Sequence, residues 1–345
     1  MQQIFSPGQI VAVAAAIPAA ACILDQDGHV IAANDRADTL FGHGIIGQPL
    51  FMFLRNPSVR EAFREVLSGD DAQAMARNEN RAPAGITLDV TFAMLGNDQS
   101  GWPLVLALCT DVTREENVER MRSDFVANAS HELRTPLTTL SGFIDTMQGA
   151  AARDERARAE FLKVMRAQAD RMSRLIDDLL SLSRIEVDEH VAPSETVNLS
   201  DIVQQARSLL QSLADTSGCT LKISVPQHLL VRGDASQLGQ VVYNLIENAL
   251  KYSGKGKEVH VTGTLEGGTV LLEIKDNGPG IAAHHVPRLT ERFYRVNVQD
   301  SRTRGGTGLG LAIVKHIVSR HRGRLLITSE VGVGSTFSVR LPASK

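Results

Sequence analysis

His131 stands in the string Ser130-His131-Glu132-Leu133-Arg134-Thr135-Pro136-Leu137, two residues from both Ala129 and Leu133 of an apolar stripe. Two steps of 100° put its imidazole across the helix from that stripe, facing solvent, with Thr135 one turn on and Glu132 adjacent. An exposed histidine is ordinarily a plain surface residue. Pro136 sets this one apart, because a mid-helix proline removes a hydrogen bond and costs about 3 kcal/mol in an ordinary context. Such local conflicts gather at functional sites. A second group lies in Asn244-Leu245-Ile246-Glu247-Asn248-Ala249-Leu250-Lys251-Tyr252, where Asn244, Asn248 and Lys251 or Tyr252 share one helix face. Amide oxygens suit Mg²⁺, a hard ion, and a lysine meets phosphate as a point charge. Farther on, Asp276-Asn277-Gly278-Pro279-Gly280-Ile281 ends a strand in a Gly-rich turn, by itself a common loop signal. Gly305-Gly306-Thr307-Gly308-Leu309-Gly310-Leu311 precedes a helix. It is not a P-loop, since no Gly-Lys-Ser/Thr follows, yet backbone N–H groups at a helix N-terminus form a ready phosphate site.

The elements that must carry these groups fall into three stretches. Over 6–114 the pattern is short-period: strands at 21–24 and 29–34 joined by Asp25-Gln26-Asp27-Gly28, and a helix opening at Pro57. Two further strands at 87–94 and 103–110 follow, with Gly96-Asn97-Asp98 starting the turn between them. Over 115–190 the chain is helical. Val118, Met121, Phe125, Ala129, Leu133, Leu137, Leu140, Ile144 and Met147 advance in steps of three or four, and a second stripe runs from Phe161 to Leu182 with one polar member, Gln168. Two such helices complete themselves as a dimeric four-helix bundle or as an αα-hairpin packed on their own chain; the pattern leaves both open. A polar connector containing Pro193 leads into 191–345, where helices and strands alternate as in an α/β sandwich. The whole reads as a multidomain α+β protein.

Composition bounds the chemistry. The 345 residues predict two or three domains, and 36 Lys+Arg against 39 Asp+Glu leave a net charge of −3, which argues against a general nucleic-acid binder. Cys22, Cys109 and Cys219 are odd in number and far apart, so neither a disulfide framework nor a zinc cluster follows, and a reducing compartment is expected. The best membrane candidate, Ile10 to Leu24, is short, rich in Ala and broken by Pro18, whereas a span needs roughly 20 mostly apolar residues. The expected location is the cytoplasm, or the cytoplasmic face of the inner membrane if an anchor is missing or supplied by a partner.

The string around His131 resembles the H box of sensor histidine kinases, 244–252 the N box, 276–281 the G1 box, Glu291-Arg292-Phe293-Tyr294-Arg295 the F box and 305–311 the G2 box. The resemblance implies a PAS-like α/β domain (6–114), a dimeric phosphoacceptor helix pair (115–190) and an ATP-binding domain of the gyrase–chaperone–kinase α/β-sandwich type (191–345). It implies that His131 attacks the γ-phosphoryl of ATP, with Glu132 holding the other ring proton as general base and Thr135 positioning water for dephosphorylation of a response regulator. It implies Asn248 as the Mg²⁺ ligand, with Asn244, Lys251 and Tyr252 beside it. Asp276 would accept from the adenine amino group, with Gly278, Gly280 and Ile281 close to the base. Gly306, Thr307, Gly308, Leu309 and Gly310 would cradle phosphates, and Phe293 belongs to the same nucleotide site. The stretch 282–307 would be a lid, with Arg302 or Arg304 on phosphate. ATP and Mg²⁺, a second copy of the chain and a response regulator with a receiver Asp are the expected partners. Phrases such as Ile176-Asp177-Asp178-Leu179-Leu180 are most similar to the phosphate-regulon branch of proteobacteria, whose members usually carry N-terminal membrane helices. Ile23-Leu24-Asp25 through Asn34 and Phe41-Gly42 carry the PAS likeness, in which His29 and His43 read as loop residues.

Two other readings compete. A hydrolytic ATPase of the same superfamily would place a glutamate four residues before the Mg²⁺ asparagine, and Asn244 stands there instead. A dimeric scaffold acting mainly as a regulator phosphatase would not require intact nucleotide boxes.

Overall fold

The computed structural model describes residues 3–79, 85–149, 154–187, 191–297 and 306–344. By contacts the chain divides into two compact units, Met1–Asp124 and Phe125–Lys345, so the helix pair from Phe125 onward and the segment 191–345 share one unit.

In the first unit, strands β1 (Ile4–Phe5), β5 (Thr87–Asp98), β6 (Pro103–Asp111), β2 (Ala20–Leu24) and β3 (Val30–Ala33) lie side by side, with β4 (Gln73–Glu79) also paired to β5. The expected hairpins form, but β5 continues through Gly96 with an irregularity after Met94, and the turn falls beyond Asp98. Asp98 supplies the reason: its Oδ1 accepts from the N–H groups of Ser100 and Trp102 and folds the chain back there. Helix α3 (Pro57–Ser68) covers one sheet face, and Phe63 meets Phe51 and Phe92 with ring centroids 5.4 and 5.7 Å apart. Helix α1 (Pro7–Ala16) packs Ile10 and Ala14 on the other face against Ile23, Ala32 and Leu104. The apolar run from Ile10 to Leu24 is thus a short helix followed by a buried strand. Asn34 ties these parts together. It caps α2 (Asp35–Phe41) through Ala37 N–H, and its amide donates to the carbonyls of Ala14, Ile17 and Ala19. His29 and His43 lie in the β2–β3 turn and in the loop after α2.

Helix α4 (Thr113–Gln148) runs unbroken through Pro136, and α5 (Glu155–Val187) follows. Beyond them, β12 (Arg324–Glu330), β13 (Gly334–Pro342), β11 (Thr269–Asp276), β10 (Glu258–Glu266) and β8 (Thr220–Ser224) form a five-stranded sheet, parallel only between β8 and β10. A small β7 (Thr196–Asn198)–β9 (Leu230–Arg232) ladder stands beside it. Helices α6 (Leu199–Ser217), α7 (Ala235–Ser253) and α8 (Gly310–Arg320) complete the layer opposite the sheet. Their apolar stripes make one continuous core with the sheet residues Val259, Val261, Leu272 and Ile274, and Leu175, Leu182 and Ile185 of α5 join it. His321 pins two of these helices. Its Nδ1 donates to Ile317 O at 2.7 Å, and its Nε2 accepts from the backbone N–H of Asp234, the N-cap of α7. Among the described residues no helix is long and apolar enough to cross a membrane. The three cysteines are buried and free.

Candidate functional site

Helix α7 sorts its residues by face. Leu238, Val241, Val242, Leu245, Ile246, Ala249 and Leu250 are buried in the core, which leaves Asn244, Glu247, Asn248 and Lys251 on the side away from it, with Tyr243 at the border. That polar side forms one wall of a cavity of about 610 Å³. Asn244, Asn248, Lys251 and Tyr252 all line it, as the spacing in the sequence predicts. Lys251 is not simply aimed at the cavity, for its Nζ lies 2.9 Å from Glu247 one turn earlier.

The turn after β11 forms a second wall, through Asp276, Gly280 and Ile281. Asp276 is only 7% exposed, and burial pushes its carboxyl above the usual carboxylate range, against the opposing effect of backbone hydrogen bonds from Gly278 and Ser335. Gly280 has φ +68°, and a Cβ there would meet the Glu330 carbonyl oxygen at 1.9 Å, so only glycine fits. Gly278 stands behind this wall, its N–H donating to Asp276 Oδ1 at 2.9 Å.

The loop entering α8 is the third wall, contributing Gly306, Thr307, Gly308 and Gly310. Gly308 has φ +76° and lies so close to Phe293 that a Cβ would touch the Phe293 backbone at 2.9 Å. Leu309 is fully buried behind the loop, and its N–H reaches Thr307 Oγ1 at 3.3 Å. Phe293 lies outside the cavity lining: its N–H donates to Gly308 O, and its ring packs 5.9 Å from that of Phe125 on α4. Phe293 lies inside the 282–307 stretch that the sequence reads as a lid, and its ring packs against the apolar face of α4. Arg302 and Arg304 lie outside the described residues.

His131 is exposed on α4, and the Thr135 hydroxyl donates to the His131 carbonyl at 3.1 Å. Glu132 is drawn elsewhere than expected. Its Oε2 accepts from Arg171 Nη2 of α5 at 2.9 Å and from Arg295 Nη2 at 3.1 Å. Arg295 in turn donates to Gly306 O at 2.8 Å, so one guanidinium joins the residue beside His131 to the glycine loop. Asp178 of α5 also reaches that loop, accepting from the Thr307 hydroxyl at 2.7 Å. Burial pushes the Asp178 carboxyl up, and the neighbouring Glu247 charge adds to this, while the Thr307 bond opposes it. Nothing in the spacing of Arg171, Asp178 or Arg295 marks them as site residues. Arg295 ends the very string that resembles the F box and Asp178 lies in the Ile176–Leu180 phrase, so type and neighbourhood are visible, while Glu132 and Thr307, their partners 163 and 129 residues away, are not.

The chain is similar to known proteins along its length. The family described as histidine kinase-, DNA gyrase B-, and HSP90-like ATPase matches residues 233–345, the His Kinase A (phospho-acceptor) domain matches 121–187, and a PAS fold matches 14–117. The phosphate regulon sensor protein PhoR of Pseudomonas aeruginosa is 34% identical over 327 residues, 94% of this chain and 72% of that protein. A sensor protein kinase WalK of Staphylococcus saprophyticus is 35% identical over 92% of this chain, which spans about half (52%) of that relative's length. The solved structure of histidine kinase ThkA, in complex with response regulator protein TrrA, shares the fold with a TM-score of 0.51 at 19% identity, over 95% of this chain and 96% of that one. With the models matching in this order and a relative one-third identical along most of its own length, the chain belongs to the sensor histidine kinases, ATP-dependent protein-histidine kinases built from PAS, phosphoacceptor and nucleotide-binding domains.

Proposed function

We propose that this chain moves the γ-phosphoryl group of ATP to His131 and from there to an aspartate of a separate response regulator. One imidazole nitrogen attacks the γ-phosphorus in line; an N–P bond forms as the P–O bond to ADP breaks, and Glu132 takes up the proton of the other ring nitrogen. The observation that carries this reading is Arg295, which touches both Glu132, one residue from His131, and the Gly306 carbonyl on the cavity wall. In the described state Glu132 is engaged by two guanidiniums, so it must give up Arg295 before serving as base.

The cavity fits a nucleotide. Asp276 offers a buried acceptor for the adenine amino group, Lys251 offers a cation, and the loop 306–310 offers backbone N–H groups at the start of α8. Asn248, with Asn244 one turn earlier, presents the amide oxygen that suits Mg²⁺. That ion, when bound, would neutralise charge on the phosphates. The exposed Thr135 hydroxyl suits the reverse duty, positioning water to dephosphorylate the regulator.

Two copies pair through α4 and α5 in this reading, which takes 6–114, 115–190 and 191–345 as sensor, phosphoacceptor and catalytic modules. Leu137, Leu162 and Leu180 support it, each more than half exposed in the single chain. The relative of known phosphate-regulon role supports phosphate limitation as the signal, and the ThkA–TrrA complex supports a response regulator as partner. The buried free thiols agree with a cytoplasmic setting.

The test is a chase. Protein labelled with γ-labelled ATP, freed of nucleotide and given ADP with Mg²⁺, returns its label as ATP, because a phosphoramidate keeps high transfer potential. Label that stays on the protein, or leaves only as inorganic phosphate, contradicts the relay.

A further inference from the structure

Two carboxylates of the phosphoacceptor helices grip opposite sides of the loop entering α8. Asp178 accepts a hydrogen bond from the Thr307 hydroxyl, and Glu132 accepts one from Arg295, which itself donates to Gly306 O. Arg295 is 5% exposed, lines the cavity and keeps a buried Nε with no hydrogen-bond partner. A guanidinium whose Nε–H is unmet while its Nη2 serves a carboxylate and a carbonyl can take a further anionic oxygen. Asp178 also lines this cavity, in company with the acidic Glu247. A second negative group seated on the same loop would meet it at close range.

We propose that Asp178 occupies the place of a nucleotide phosphate oxygen on the 306–310 loop, so that the phosphoacceptor helices and the anionic end of ATP bind this loop in competition. This inference rests on reading the cavity as the nucleotide site. Seating the triphosphate moves the Thr307 hydroxyl from Asp178 to a phosphate oxygen and offers the orphan Arg295 N–H a partner. Coupling of this kind is reciprocal: whatever helix docking costs in ATP affinity, ATP costs in helix docking. The loop would therefore let go of α5 only when loaded, and Glu132 would be freed from Arg295 in the same event.

Competition is distinguishable from simple tethering, because only the anionic part of the ligand should feel Asp178. Binding of Mg²⁺ with a non-hydrolysable ATP analogue, and of adenosine, is measured calorimetrically on the full chain carrying Asp178→Asn or Asp178→Ala. The isosteric Asp178→Asn keeps the packing, and Asp178→Ala removes the acceptor altogether. Both should bind the ATP analogue about tenfold more tightly than wild type, the scale of a lost charge-assisted hydrogen bond, with adenosine unchanged. Unchanged or weaker analogue binding in both variants, or an equal gain for adenosine, overturns the proposal. Asp276→Asn separates the two levels of the argument. If it weakens analogue and adenosine alike while Asp178→Asn does nothing, competition fails and the nucleotide site stands; if it weakens neither, the site reading falls and the proposal with it.

Discussion

The helix pair and the sheet module of the second unit use apolar residues in opposite ways. In the module, α7 hides Leu245 and Ile246 completely, and the sheet hides Ile274 equally well. In the pair, α4 and α5 leave Leu137 54% and Leu180 52% exposed on helices whose other side chains, such as Leu175 and Leu182, are buried. The first is a finished core; the second has an apolar face that the described residues leave open. In our reading the difference means that one chain suffices for nucleotide binding, whereas the phosphoacceptor helices are completed by a second copy.

Substitutions on the two sides should therefore fail differently. The largest expected effect is Asn248→Asp, which puts a second charge in place of a neutral amide beside the acidic Glu247 and should abolish autophosphorylation; undiminished labelling would remove Asn248 from the metal site. Next, Leu137→Asp combined with Leu180→Asp should halve the mass seen by light scattering, since each puts a charge on an exposed apolar face that pairing would bury. An unchanged mass would locate the pairing elsewhere. Truncation sharpens the contrast further. Leu245→Ala should cost about 2–5 kcal/mol in denaturant unfolding, and Leu137→Ala no more than about 0.5 kcal/mol when the protein is dilute enough to be single-chain. Equal losses would mean that the exposed face is already covered.

The smallest effect concerns pH. Burial and the neighbouring Arg320 charge hold His321 below the ordinary histidine value, outweighing its hydrogen bond to Ile317. The unfolded chain then binds a proton that the folded chain refuses, so this stability is complete above the unfolded pKa of about 6.5 and is lost as pH falls below it. The slope is at most about 1.4 kcal/mol per pH unit, and His321→Gln should flatten it in unfolding curves recorded between pH 7.5 and 5.5. A slope identical to wild type would assign the acid sensitivity to other groups.

Local chemistry was legible in the residues, and long-range partnership was not. The polar face of α7 follows from the spacing of Asn244, Asn248 and Lys251 alone, and the long helices follow from their stripes. Helix α1 carries little periodic signal in its Ala-rich run and is fixed from outside, where the Asn34 amide donates to the carbonyls of Ala14, Ile17 and Ala19 at its C-terminal end. Glu132 was read as the neighbour of His131 because sequence shows adjacency; Arg171 and Arg295, which hold it here, are brought in by tertiary packing. The string 291–295 shows Phe293 as an F-box aromatic but not its contact with Phe125, which tertiary packing supplies.

The central claim is that His131 receives the phosphoryl group from ATP bound in the α7–α8 cavity. Incubation with γ-labelled ATP and Mg²⁺, comparing wild type with His131→Gln, tests it most directly. The account predicts acid-labile, base-stable label on the wild type alone, with both proteins binding ATP equally; equal labelling of His131→Gln would contradict it.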